Sequence, residues 1–305
     1  MKFLYMTDLH IRSQMKQRKD DLLDTMSSKL SSVSFMAQEL GVDLIVCGGD
    51  VFDAPNPALS AAGIFVKFLK ECPIPVFSIP GQHDMYGYNR STLWRTQYGL
   101  IAAGDLFTDV YSLTPFEDFT FMDHRYAQDN PKALLDCDVE IVHELLLPFP
   151  FLGQELPIES FNTKAKVVVS ADYHPGYPIH WRSDGVVFVH PGALMRTENS
   201  KTERARTVQV ALVDLNKEET PEVTYLPLPG VLPAEEVFLD RAEGSSIITE
   251  IADFCLDPFL AKMDQTDFSG RALLTSLVHS AVNNAGLSDS VATAVLDRFT
   301  QKGLI

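Results

Sequence analysis

Five short segments of the chain gather aspartate, histidine and carboxamide side chains where apolar runs stop. They are Asp8 and His10 in MTDLH, Asp50 in GGDVFD, Gln82, His83 and Asp84 in PGQHD, His143 in EIVHE, and Asp172 and His174 in SADYH. Carboxylates and imidazoles are the donors that hold divalent cations. Two such ions roughly 3.5–4 Å apart clamp a phosphoryl group and lower the pKa of a bound water, which hydrolysis of a phosphate ester near neutral pH requires. Holding two ions that close takes a bridging carboxylate and several converging loops, because one loop cannot surround both. Each segment alone is a weak signal, since an isolated histidine after a strand is more often a core or loop residue. The joint order carries the weight: aspartate-x-histidine, Gly-Asp, Gly-x-His-Asp, a lone histidine, then x-x-histidine, each closing an apolar run.

The elements that must position these residues can be read from periodicity. Residues 2–7 alternate and are β-prone, which predicts a first strand ending at Asp8. Leu22, Leu23, Met26, Leu30, Val33, Met36, Ala37 and Leu40 recur at helical spacing over about 20–40, with Gly41 placed as a C-terminal cap. VDLIVCGG reads as a short buried strand, residues 58–70 as a second helix, and PVFSIPG as a third strand. This rhythm implies parallel strands with right-handed crossovers and chemistry at their carboxyl ends. From about residue 105 strand-like runs dominate, so the fold class expected is α/β, with two sheets face to face and helices outside. The stretch PFPFLGQELP reads as a loop. Prolines at 227, 229 and 233 mark a linker between a catalytic domain over 1–230 and a helical appendage over 234–305, where Ser288 is placed to cap the last helix.

Composition narrows the class. The chain has 305 residues, with 46% hydrophobic and 22% charged, as in an ordinary soluble domain. No apolar run approaches the roughly 18–20 residues of a membrane helix. The N-terminus is interrupted by Asp8 too early for a signal peptide, and Cys47, Cys72, Cys137 and Cys255 lack disulfide or metal spacing. A cytoplasmic protein without membrane partners is the expectation. The formal net charge of −16 repels nucleic acid at long range, so a polyphosphate substrate would need bound cations, a local basic patch or a partner protein.

The five segments together resemble the calcineurin-like metallophosphoesterase superfamily, with its D-x-H, G-D-x-x-D, G-N-H-[DE], lone His and G-H-x-H pattern. The resemblance covers about residues 1–228 and implies a four-layer α/β/β/α sandwich. It implies a first metal held by Asp8, His10, Asp50 and His174, and a second held by Asp50, Gln82, His143 and Asp172, with Asp50 shared. His83 would sit over the phosphate as the catalytic group, Asp84 would fix its tautomer, and Asp53 would support its loop. Two of the five segments depart from the pattern. Gln82 stands where the family has asparagine and Asp172 where it has the first histidine of G-H-x-H, with Ala171 in place of the glycine. Both belong to the second metal, and a carboxylate for an imidazole hardens that ligand set, favouring Mn²⁺ or Mg²⁺ over Zn²⁺.

DLHIRSQ and VHPGALMRTENSK resemble SbcD-type DNA-repair nucleases, compact phage-like forms in particular. That likeness implies a phosphodiesterase acting on DNA, a homodimer, and an SMC-like ABC ATPase docked on 234–305. Arg12, Lys16, Arg18 and Lys19, and Arg196, Lys201, Arg204 and Arg206, form basic runs that could grip a backbone, with Arg196, Arg204 and Arg206 the candidates beside the metals. A phosphomonoesterase and a scaffold with a degraded metal site are the competing readings.

Overall fold

The computed structural model describes residues 1–130, 136–151, 155–216 and 220–240. The strands are β1 (Lys2–Met6), β2 (Leu44–Cys47), β3 (Val76–Ser78), β4 (Thr108–Asp109), β5 (Thr114–Phe116), β6 (Phe119–Asp123), β7 (Val139–Val142), β8 (Leu146–Leu147), β9 (Leu156–Pro157), β10 (Val167–Ser170), β11 (Tyr177–Trp181), β12 (Val187–His190), β13 (Gln209–Asp214) and β14 (Glu222–Pro227). They form two six-stranded sheets, ordered β14-β13-β1-β2-β3-β4 and β11-β12-β10-β7-β6-β5, and a two-stranded β8-β9 ribbon. The β1-β2-β3-β4 run and the β12-β10-β7-β6 run are parallel, with antiparallel strands at the sheet margins.

Period-two alternation sorts the side chains into layers. Phe3 and Tyr5 of β1, Leu44 and Val46 of β2, Val139 and Ile141 of β7, Val167 and Val169 of β10 and Val187 and Val189 of β12 share one buried cluster between the sheets. Leu4, Met6, Ile45 and Cys47 face the other way, onto helices α1 (Leu22–Glu39), α2 (Leu59–Glu71) and α3 (Gln97–Ala103). The outer face of the second sheet, with Met122, Val142, Val168 and Phe188, is covered by Leu146, Leu147, Ile158 and Phe161 and by α4 (His124–Asp129). The expected layering holds, although short pieces rather than long helices cover the second sheet.

Local chemistry sets the helix ends. Asp21 caps α1, accepting from Leu23 N at 2.9 Å and Asp24 N at 3.1 Å. Gly41, at φ 59°, takes the left-handed turn that ends it. One compact unit comprises Met1–Thr197 and Thr202–Phe238. Ala234, Val237 and Phe238 are buried with Leu232 and Met15, so this unit reaches Phe238, past the boundary expected near residue 230. The second unit, Glu198–Lys201 with Leu239–Ile305, lies almost wholly outside the described residues, as does the helical appendage expected there.

Phe121 sits at the centre of the inter-sheet core, with edge-to-face contacts to Phe3 and Phe77. Phe121→Ala removes both and leaves a cavity, and is expected to cost about 3–5 kcal/mol. A fall in the urea midpoint at unchanged m-value checks it.

Candidate metal centre

Every site segment follows the carboxyl end of a parallel strand: Asp8 and His10 follow β1, Asp50 follows β2, Gln82 to Asp84 follow β3, His143 follows β7, and Asp172 and His174 follow β10. The loops are tied through their backbones. Asp8 N donates to Gly49 O, His10 N to Asp50 O, Met195 N to Asp8 O and Ala193 N to His174 O. The Tyr5 hydroxyl crosses between the sheets to donate to Ser170 O at 2.7 Å, two residues before Asp172.

Asp8, His10, Asp50 and Asp172 have positive φ (52°, 42°, 47° and 73°), half of the eight such non-glycine residues among those described. The left-handed region costs side chains with a Cβ, so this clustering marks loops bent to aim specific donors at one point. The glycines beside them leave room for that approach. A Cβ at Gly81 would overlap the Asp50 backbone and carboxylate, and one at Gly49 would lie 2.7 Å from His143 Nδ1.

Asp50 is the hub. Its Oδ1 accepts from His83 N at 2.8 Å, which turns Oδ2 toward three imidazoles. That oxygen lies 3.2 Å from His143 Nε2, 3.7 Å from His10 Nε2 and 4.0 Å from His83 Nε2. On one side, His10 Nε2 and His174 Nε2 face each other at 3.0 Å, each 3.9 Å from Asp8 Oδ1. On the other, His143 Nδ1 donates to Gly48 O at 2.7 Å, leaving Nε2 to look inward. His83 donates from Nδ1 to Asp53 O at 3.0 Å, and its ring is 40% exposed, so its Nε2 borders open space.

The electrostatics ask for a cation. Burial disfavours a charged His143, yet the Asp50, Asp8 and Asp172 carboxylates override it and raise its pKa to about 10. Burial pushes Asp8 up to about 6 despite His143, whereas Asp50 is held well below the usual carboxylate range by His143 and His83 against its own burial. His10 is raised by Asp53, Asp50 and Asp8 against burial, and His174 is driven down by burial and by His10. A proton on His143 stands in for positive charge, and an ion bound at Nε2 has to displace it.

The donors fit divalent ions. Asp8, His10 and His174, then His10, Asp50 and His83, then Asp8, Asp50 and His143 each bring ligand atoms within 4.8 Å of one another. Metal–ligand bonds of roughly 2.0–2.3 Å put neighbouring donors about 3–4 Å apart, as seen here. His143 Nε2 is buried without a hydrogen bond, and two imidazole nitrogens at 3.0 Å repel unless a proton or cation lies between them.

Two sheets with parallel cores thus carry this carboxylate–imidazole cluster at the carboxyl ends of their strands. Residues 1–190 match the family described as Calcineurin-like phosphoesterase, and the chain belongs to that family. It is 31% identical over 90 residues to the DNA double-strand break repair protein Mre11 of Saccharolobus solfataricus, covering 28% of this chain and 23% of that protein. It is 22% identical over 226 residues to Mre11 of Methanosarcina acetivorans, covering 66% and 36% respectively. The chain thus spans about a quarter to a third of the length of these relatives. Among solved structures, a dimetal phosphatase from Danio rerio aligns with a TM-score of 0.48 at 12% identity, covering 73% of this chain and 98% of that one.

Several sequence expectations need correction. Asp84 does not hold the His83 ring. Its buried carboxylate accepts from Gly81 N at 2.9 Å, Phe52 N at 2.9 Å and Val51 N at 3.1 Å, so it joins the loops after β2 and β3, and the Asp53 carbonyl orients His83 instead. Asp53 has a second task, because its carboxylate lies 3.4 Å from His10 Nδ1. The basic runs are largely spent on structure. Arg196 is 7% exposed and donates to the carbonyls of Glu203, Leu232 and Arg206. Arg206 chelates Glu203 at 2.6 and 2.9 Å and donates to Ala193 O and Met195 O. Arg204 lies 3.8 Å from the Glu235 carboxylate. Arg18 forks onto Asp20. The two departures from the family pattern meet: Gln82 Nε2 donates to Asp172 Oδ1 at 2.6 Å. Thr197, whose Oγ1 lies 2.9 Å from His174 Nδ1, carries no signal in the sequence.

Arg206→Ala leaves the Glu203 carboxylate, itself almost fully buried, without its counter-ion. A loss of about 3–5 kcal/mol in urea unfolding is expected. A variant of wild-type stability with weakened substrate binding would return Arg206 to the role of a substrate contact.

Proposed function

We propose that the protein is a two-metal phosphodiesterase. In this reading Asp8, His10, Asp50 and His174 hold one ion, Asp50, Gln82, His143 and Asp172 hold the other, and Asp50 bridges. The observation that carries it is the placing of Asp50 Oδ2 between His10 Nε2 at 3.7 Å and His143 Nε2 at 3.2 Å. Mn²⁺ suits the oxygen-rich second set, with Mg²⁺ as the alternative, and that set is the weaker of the two.

When bound, the ions supply charge neutralisation and an activated water. The chain does the remainder. Water attacks phosphorus, the phosphorus–oxygen bond to the leaving group breaks, and that oxygen takes up a proton. His83 is the group for this last step: Nδ1 is engaged by the Asp53 carbonyl, and Nε2 faces outward beside Asp50. Asp84 serves by holding the loops on which Asp50 and His83 sit.

A diester is favoured over a monoester because the extra charge of a monoester calls for additional arginine, and Arg196, the candidate for that task, is turned inward. The likeness to Mre11 supports DNA as the diester and a nuclease role beside an SMC-like ATPase. The docking segment in 234–305 falls beyond the described residues after Asp240 and rests on that likeness alone, as does homodimerisation. Among the described residues no helix is long and apolar enough to cross a membrane.

Incubation with Mn²⁺ and linear duplex DNA, bis-p-nitrophenyl phosphate or p-nitrophenyl phosphate separates the readings. Hydrolysis of the two diesters, abolished by a chelator, is expected. Preference for the monoester would make the protein a phosphatase, and silence on all three a scaffold.

A further inference from the structure

Two imidazoles, His10 and His174, turn Nε2 toward each other at 3.0 Å. That arrangement is favourable only with a proton or a cation between the two nitrogens, so the groups at the far side of each ring decide what each Nε2 can offer. Each ring has a polar neighbour at its other nitrogen, a hydrogen bond for His174 and a longer charge contact for His10. Asp53 Oδ1 lies 3.4 Å from His10 Nδ1, and Thr197 Oγ1 lies 2.9 Å from His174 Nδ1. The partner on Nδ1 decides both ring orientation and which nitrogen is left to bind a metal.

Both restraints converge on one side chain. Arg12 donates from Nη1 to Asp53 Oδ2 at 2.7 Å and from Nη2 to the Thr197 carbonyl at 3.2 Å. The planar fork of a guanidinium can span two acceptors on separate segments, which an ammonium cannot do with the same rigidity. Thr197 is pinned again from behind, where its N–H donates to Glu203 Oε2 at 3.2 Å and Glu203 is held by Arg206. The arginine in IRSQ and the threonine in MRTENSK are 185 residues apart and act on the same pair of rings.

We propose that Arg12 is a positioning residue for the first ion, setting His10 through Asp53 and His174 through Thr197 before any metal arrives. This rests on the reading of Asp8, His10 and His174 as ligands of a divalent ion. Arg12 is thereby a brace within the site and not a grip on substrate. Thr197 is its partner, and the hydroxyl rather than the methyl group is what matters there.

Mn²⁺ alone, titrated calorimetrically into the full chain without substrate, tests the proposal alongside urea unfolding of each variant. Arg12→Ala and Thr197→Val are expected to weaken the tighter site about 10–100-fold, with Thr197→Ser retaining wild-type affinity. The double variant Arg12→Ala/Thr197→Val is expected to lose less than the product of the two, because both act through the same pair of rings. If Arg12→Ala fails to fold, the Thr197→Val and Thr197→Ser pair still decides. Wild-type Mn²⁺ affinity in Arg12→Ala, with only substrate KM raised, overturns the proposal and makes Arg12 a substrate contact. Equal affinity in Thr197→Val and wild type overturns it as well. No Mn²⁺ binding by the wild type would remove the metal reading itself, and the brace with it.

Discussion

A single buried carboxylate organises the functional end of this molecule. Asp50 gives one oxygen to the His83 amide and aims the other at His10, His83 and His143. Four strands from two sheets must therefore end within a few ångströms of one another. The tie from Tyr5 to Ser170, the glycines at 49 and 81, and the three amides gathered by Asp84 all serve that convergence. Left-handed backbone at Asp8, His10, Asp50 and Asp172 is the local cost of aiming so many donors at one volume.

The distribution of charge follows from the same need. A site of buried carboxylates is unstable without positive charge, and His143 holds a proton to a pKa of about 10 because of it. The cationic side chains around the site are mostly engaged: Arg12 with Asp53, Arg18 with Asp20, Arg206 with Glu203 and Arg196 with carbonyls. In a chain of net charge −16, these arginines work as struts between loops. In the proposed reading, attraction of a polyanionic substrate would fall to cations held at Asp50 or to a partner protein.

Much of the fold was legible because burial imposes periodicity. The α1 stripe from Leu22 to Ala37, the apolar β2 and β10 and the strand-closing positions of Asp8, Asp50, His143 and His174 could all be read from spacing. α4 and the 3-10 turns around residues 86–95 were not, because such short elements lack a full apolar period. Side-chain pairing across long separations was equally hidden. Arg196 and Arg206 look like phosphate ligands in sequence because runs of basic residues say nothing of the carbonyls and carboxylates that fold beneath them. Asp84 adjoins His83 in the chain, yet three amides draw it the other way. Gln82 and Asp172, 90 residues apart, show their mutual hydrogen bond only in the fold.

That hydrogen bond joins two of the positions at which the chain departs from the superfamily pattern, and it lies at the proposed second ion. Asp50 is the only member common to both proposed ligand sets, so it is the place to test them. Calorimetric titration of Mn²⁺ into the wild type and Asp50→Asn is the direct measurement. Two ions per chain, unequal in affinity, are expected for the wild type, with both weakened together by the substitution. An Asp50→Asn protein that keeps either site at wild-type affinity would show that no shared carboxylate links them.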